Sequence, residues 1–374
     1  MAEAEHLYVH VPFCSRRCSY CDFAIAVRRE VPVLEYLGAL SAELDIRTQM
    51  PRNGALKTVY VGGGTPSKLG ADGLTALLGL LTSPAGFDLE LGAEVTIEAN
   101  PEDVSTDSVR AWMAAGVSRL SLGAQSFDDR VLTWMHRTHD AGEVERAVRA
   151  ARSAGMADIS LDLIFAVPSE LGRDWGADLR QALELEVEHI SLYGLTVEPR
   201  SPLGRWTARG VVSEAPEERY AEEFLLAHET LGGAGFEHYE VSNFAKDGKR
   251  SRHNSSYWRR VPYLGLGPSA HSYDGIARRW NAREYREWHT RAASGHDPLE
   301  GSETLSPENE LAEQVYLGLR TTDGLSTIGA DDETVEMWVR AGWATMTTGL
   351  VRLTAEGWLR LDSLAAALTT IRSG

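Results

Sequence analysis

The chain has 374 residues, with 37 Lys and Arg against 54 Asp and Glu, for a formal net charge of −17. That balance excludes sequence-independent binding to nucleic acid or to an anionic membrane, and three cysteines exclude a disulfide scaffold. No apolar run reaches the roughly 18 residues of a membrane-spanning helix, and the first ten residues, MAEAEHLYVH, lack a secretory pattern. A cytoplasmic location is expected.

Six short, apolar, β-branched runs fall at residues 7–13, 58–63, 95–99, 119–124, 159–165 and 190–195. Amphipathic stretches separate them, among them 34–47, 74–81 and 143–154. The last follows Asp140-Ala-Gly-Glu143, which has capping-box spacing. Strand–helix alternation predicts a parallel α/β sheet with right-handed crossovers. Six units rather than the eight of a closed barrel predict a partial (β/α)6 barrel over residues 1–210. Polar or glycine residues end each run, where parallel folds gather their sites: Gly62-Gly63-Gly64-Thr65-Pro66, Glu98 with Asn100, Gln125, Asp162 and Tyr193. The glycine run lacks the G-x-G-x-x-G spacing of a dinucleotide fingerprint, but it would let a ligand approach the backbone closely.

The alternation stops near residue 198. A helix is expected over 216–231, and 240–283 reads as extended, rich in aromatic and basic residues. Residues 211–300 therefore form a second region. In the third, 301–374, helices at 308–320 and 332–341 precede a hairpin near 350 and a terminal helix ending near Ile371. This order resembles a winged helix, but without a basic face nucleic acid is not an expected partner.

All three cysteines lie in HVPFCSRRCSYCDF, as Cys14, Cys18 and Cys21. Three thiols packed so closely in a reducing compartment point to metal or cluster ligation. Structural zinc would need a fourth ligand, for which His10 stands close, but no second ligand pair exists. An iron–sulfur cluster normally takes four thiolates, so three leave one iron open. The spacing Cys-x3-Cys-x2-Cys resembles the cluster motif of the radical S-adenosylmethionine (SAM) superfamily. That resemblance implies a [4Fe–4S] cluster on Cys14, Cys18 and Cys21, with SAM chelating the fourth iron.

The flanks narrow the resemblance. LYVHVPFC, GGGTPS, IEANPE, LSLGAQSFDD, MHRTHD and DLIFAVP are similar to the oxygen-independent coproporphyrinogen III oxidase family, and the likeness covers nearly the whole chain. It implies that Tyr8, Tyr20, Gly63, Gly64, Thr65, Glu98, Gln125, Arg137 and Asp162 contact SAM. The family has two branches. Its oxidases resemble one another in a fourth cysteine, in Cys-Gly-Cys; its heme chaperones have Cys-Asp-Phe there and a His-Asn-x-x-Tyr-Trp motif. This chain has Cys21-Asp22-Phe23 and His253-Asn254-Ser-Ser-Tyr257-Trp258. The chaperone resemblance implies binding of cluster, SAM and heme, transfer of heme to recipient heme proteins that include membrane respiratory enzymes, and homodimerisation. The alternative is radical SAM oxidation of coproporphyrinogen III to protoporphyrinogen IX. Whether the chain is an enzyme stays open, since the SAM positions are kept while the fourth cysteine is not.

Around the second motif, six cations and one anion occupy the fifteen residues 246–260. Heme asks for a soft iron ligand, flat apolar surface and cations for its propionates. His253, Tyr257, Trp258 and Arg252 supply those types, with His271 as a second candidate ligand. The same chemistry would suit a polycarboxylate tetrapyrrole substrate. His136 and His139 read as turn or cap residues.

Overall fold

The computed structural model describes residues 4–47, 55–83 and 86–373. Six strands, β1 (His6–Val11), β2 (Leu56–Gly63), β3 (Leu89–Ala99), β4 (Arg119–Gln125), β5 (Ile159–Phe165) and β6 (His189–Gly194), lie side by side in chain order. All five neighbouring pairs are parallel. Their sequences alternate: Leu7, Val9, Val59, Val61, Val95, Ile97, Leu120 and Leu122 belong to the apolar core under helices such as Val33–Arg47, Gly70–Leu81 and Ala141–Ala154, while Tyr8, Thr58, Tyr60, Glu98, Ser121 and Asp162 point to the other, inner face. The expected capping box is present: Asp140 accepts the Glu143 N–H at 2.7 Å, and Glu143 accepts the Asp140 N–H at 2.9 Å.

The sheet does not stop at six strands. β8 (Asn243–Ala245) adds antiparallel to β6 and β7 (Glu237–Glu240) adds antiparallel to β8, so the chain beyond residue 210 first extends that edge. It then crosses to the opposite edge, where β9 (Tyr263–Leu266) pairs in parallel with β1, followed by β10 (His271–Tyr273), β11 (Ala277–Asn281) and β12 (Leu299–Thr304) in antiparallel order. One open twelve-stranded sheet results.

One expectation for this segment is corrected. Residues 240–283 are not extended throughout, because Arg252–Trp258 is a short helix. Ser251 caps it by accepting the Asn254 N–H at 3.2 Å, and the buried Glu94 carboxylate accepts the Arg252 and His253 N–H groups, each at 2.9 Å. A carboxylate at a helix start is favourable, and here it comes from β3, far away in sequence.

The C-terminal module has the expected helix–helix–hairpin–helix order around a small antiparallel sheet of β13 (Leu325–Ser326), β14 (Ala344–Thr347) and β15 (Leu350–Leu353), with β15 central. Trp358 seals it against the barrel, edge-on to the His238 ring at 4.4 Å and donating its indole N–H to the Leu319 carbonyl at 3.0 Å. The module also takes up the basic segment. Asp323 pairs with Arg250 and Arg259, Glu310 with Arg260, and Glu313 with both Arg260 and Arg278. The local charge inversion seen in sequence is thus largely neutralised by acids fifty or more residues away. Among the described residues, no helix is long and apolar enough to cross a membrane.

Candidate functional site

At the end of β1 the chain passes through Pro12 into the cysteine loop. Phe13–Cys14 pairs in parallel with Ala26–Val27, and the Ala26 N–H donates to the Pro12 carbonyl at 2.7 Å, closing the loop at its base. The three cysteines are free and half-buried. They face a cavity of about 870 Å³ at the C-terminal ends of the barrel strands.

Every residue expected to contact SAM lines this same cavity. Tyr8 comes from β1 and Gly63 from the end of β2, with Gly64 and Thr65 beyond it; Glu98, Gln125 and Asp162 come from β3, β4 and β5. Tyr20 lies in the cysteine loop, and Arg137 in the turn that precedes the Ala141–Ala154 helix. Two glycines are required by close approach. A Cβ on Gly64 would lie 2.7 Å from the Pro12 backbone carbonyl, and one on Gly63 (φ +117°) 2.7 Å from the His10 ring. Gln125 itself sits at φ 69°, after a register shift between Leu122 and Gln125 that turns it toward the cavity.

The charges are arranged by region. Glu98 accepts from the Tyr60 hydroxyl at 2.8 Å and the Gly63 N–H at 3.0 Å; enclosure in the wall, reinforced by Asp162, pushes its carboxyl up to about 7. Enclosure likewise pushes Asp162 up to about 6, against the Ser121 hydroxyl that donates to it. On the other flank Arg137 donates to Asn100 Oδ1 at 2.7 Å, to the Gly123 carbonyl at 2.9 Å and to Cys18 Sγ at 3.5 Å, while its Nε has no partner. A ligand with a cationic and diol end toward the acids and a carboxylate toward Arg137 fits this polarity, and SAM is such a ligand.

The thiols fit a cluster better than a single ion. Burial pushes Cys14 up to about 11, so a cation set against it is what would make it a thiolate ligand. Among the described residues no three His, Cys, Asp or Glu side chains are placed to share one ion, whereas a cubane spreads its thiolates over separate irons. The zinc alternative also loses its fourth ligand. His10 donates through Nε2 to the Ala24 carbonyl at 2.9 Å and accepts the Tyr8 hydroxyl at Nδ1 at 3.0 Å, holding the cysteine loop against β1.

The residues expected to meet heme divide. Tyr257 and His271 line the cavity; His253, Arg252 and Trp258 do not. Positions 253 and 257 lie one helical turn apart, and only the outer one reaches the cavity. His253 is fully buried, stacked on Tyr60 at 5.2 Å. Arg252 donates to the Gly92 carbonyl at 2.8 Å, and Trp258 lies beneath the Arg320 guanidinium at 4.3 Å. His136 also lines the cavity, at φ 61°, whereas His139 is buried and hydrogen-bonded to the Ala124 carbonyl at 3.1 Å. Three further cavity residues, Tyr263, Ser269 and Arg283, carried no sequence signal. Arg283 pairs with Asp22, tying the cysteine loop to the segment after β11.

The family model for the radical SAM superfamily matches residues 8–182. A protein named heme chaperone HemW from Mycobacterium tuberculosis (strain H37Rv) is 35% identical over 368 residues, covering 97% of this chain and 94% of its own. The chain belongs to the HemW family of radical SAM proteins. A HemW relative from Bacillus subtilis is 35% identical and covers 85% of this chain and 84% of its own. The fold is that of the solved Escherichia coli coproporphyrinogen III oxidase HemN, described as a radical SAM enzyme, with a TM-score of 0.83 over 98% of this chain and 91% of that one at 21% identity. The HemW likeness thus spans barrel and C-terminal module alike.

Proposed function

We propose that this chain is a heme chaperone. It holds a [4Fe–4S] cluster on Cys14, Cys18 and Cys21, binds SAM between Arg137 and the Glu98–Asp162 pair, accepts heme in the rest of the cavity and passes it to recipient heme proteins, membrane respiratory enzymes among them. It works in the cytoplasm, as a homodimer. The observation that carries this reading is that Tyr257 and His271 share one cavity with the three thiols in a chain of the HemW family.

When bound, a reduced cluster supplies one electron to the SAM sulfonium. The chain's own residues position and shield. The Gly63–Gly64 edge lets the methionine part lie against backbone; Arg137 takes its carboxylate, and Glu98 and Asp162 accept from the ribose hydroxyls. Tyr257 and His271 meet the heme directly, while His253, Arg252 and Trp258 act from behind, through the helix that carries Tyr257. Phe23, 67% exposed at the rim, stands where the oxidase branch has its fourth cysteine.

The test is anaerobic titration of the cluster-loaded protein with heme, followed by mixing with a heme-free recipient such as an apocytochrome. A saturable Soret shift at about one heme per chain, lost to the recipient on mixing, is expected. No saturable shift, or steady turnover of coproporphyrinogen III, overturns the reading.

A further inference from the structure

The histidine of the His-Asn-x-x-Tyr-Trp motif has no free lone pair. His253 Nδ1 is bonded to the Thr58 hydroxyl at 2.6 Å, and Nε2 to the Tyr257 hydroxyl at 2.7 Å. Thr58 is bonded in turn to His6 Nδ1 at 2.8 Å. His253 and Thr58 are 0% exposed, and His6 is 7% exposed. In one of its two consistent directions the Tyr257 hydroxyl donates to His253 Nε2, His253 Nδ1–H to Thr58, and the Thr58 hydroxyl to His6. Only Tyr257, at the head of the chain, lines the cavity.

We propose that Tyr257 Oη, as a phenolate, is the axial ligand this motif offers to ferric heme iron, and that His253 is a positioning residue that accepts its proton. The proposal rests on the chaperone reading above and deepens it. A phenol binds iron well only after losing its proton, and tyrosinate is an established axial ligand of ferric heme. Here the base is already in place. As the oxygen lone pair forms the iron bond, the phenol proton passes to His253 Nε2, the Nδ1 proton to Thr58, and the Thr58 proton to His6 Nδ1, which faces the Glu5 carboxylate with Lys57 and Arg252 also nearby. No oxidant or reductant is consumed. The iron gains one ligand, and the proton ends near the N-terminal end of β1, away from the cavity at the strands' C-terminal ends.

The arrangement also accounts for the spacing of the motif. Histidine at i and tyrosine at i+4 on the Arg252–Trp258 helix face the same way, so one rigid turn sets the 2.7 Å bond. His271, exposed at the rim and stacked on Trp280 at 5.8 Å, is the rival ligand.

The test is resonance Raman spectroscopy of the full-length, cluster-loaded protein with ferric heme, excited in the phenolate-to-iron charge-transfer region. Neither the cluster nor a histidine-ligated heme gives tyrosinate ring modes. Wild type should show them. Tyr257→Phe should lose them while still binding heme at least tenfold more weakly, and His271→Ala should keep them. Heme binding without tyrosinate modes in wild type, or modes that survive Tyr257→Phe, overturns the assignment and leaves the chaperone reading intact. Failure of wild type to bind heme at all overturns both. Should Tyr257→Phe fail to fold, judged by its iron content and near-ultraviolet circular dichroism, the wild-type spectrum with ring-deuterated tyrosine decides: a shift in the modes supports the proposal and their absence ends it.

Discussion

A carboxyl group that faces an enclosed cavity resists ionisation, and Glu98 shows the consequence. Tyr60, Tyr8, Tyr193 and Asp162 surround it, and among the described residues no cation pairs with it. Its folded value of about 7 lies above the ordinary 4.5, so the folded, cofactor-free protein holds this proton more tightly than the unfolded chain does. Stability is therefore fully present below about pH 4.5 and is lost as pH rises to about 7. Glu98→Gln should flatten that slope and raise cofactor-free stability at pH 8 by about 1–3 kcal/mol, measured by urea unfolding, while weakening SAM at least tenfold. The backbone makes a second prediction. Gly64→Ala places a methyl 2.7 Å from the Pro12 carbonyl, so strand and cysteine loop must part. Iron content after reconstitution should fall, together with a loss of about 1–3 kcal/mol in stability.

At the scale of elements, the motif helix is held by a carboxylate from another strand. Glu94 accepts two of its first N–H groups, which seven residues could not otherwise satisfy. Glu94→Ala should cost about 1–3 kcal/mol and should raise amide hydrogen exchange across residues 253–258 without altering that of the Ala141–Ala154 helix. The reverse pattern would mean that the helix is held by Ser251 alone. Asp140→Ala offers the contrasting case. It removes one exposed cap, should cost about 1 kcal/mol, and should leave heme binding unchanged.

At the scale of the whole molecule, the C-terminal module and the basic segment complete each other. Exposed ion pairs are individually weak, but Asp323 and Glu313 each serve two arginines, and Trp358 adds a buried aromatic contact. Trp358→Ala should cost about 3–5 kcal/mol. Limited proteolysis should then cut first within residues 306–373, with the barrel fragment surviving. Simultaneous loss of both parts would show that they unfold as one unit.

Local patterns determined much of this. The bounds of five barrel strands, the Asp140 cap, the cysteine cluster and the strand-end residues Gly63, Gly64, Thr65, Glu98, Gln125 and Asp162 were legible, because β-branched runs, capping chemistry and ligand spacing act within a few residues of each other, while Tyr8, Tyr20 and Arg137 came only through the family resemblance. The pairing of β9 with β1, the neutralisation of the basic segment by Glu310, Glu313 and Asp323, and the burial of His253 were not. Each depends on contacts between residues 50 to 260 positions apart, and nothing in a one-dimensional pattern says which distant strand or acid will arrive. A histidine in a motif looks the same whether it faces a cavity or a threonine across the sheet. The choice was made by the helix of Arg252–Trp258, whose turn sends Tyr257 to the cavity and leaves His253 inside.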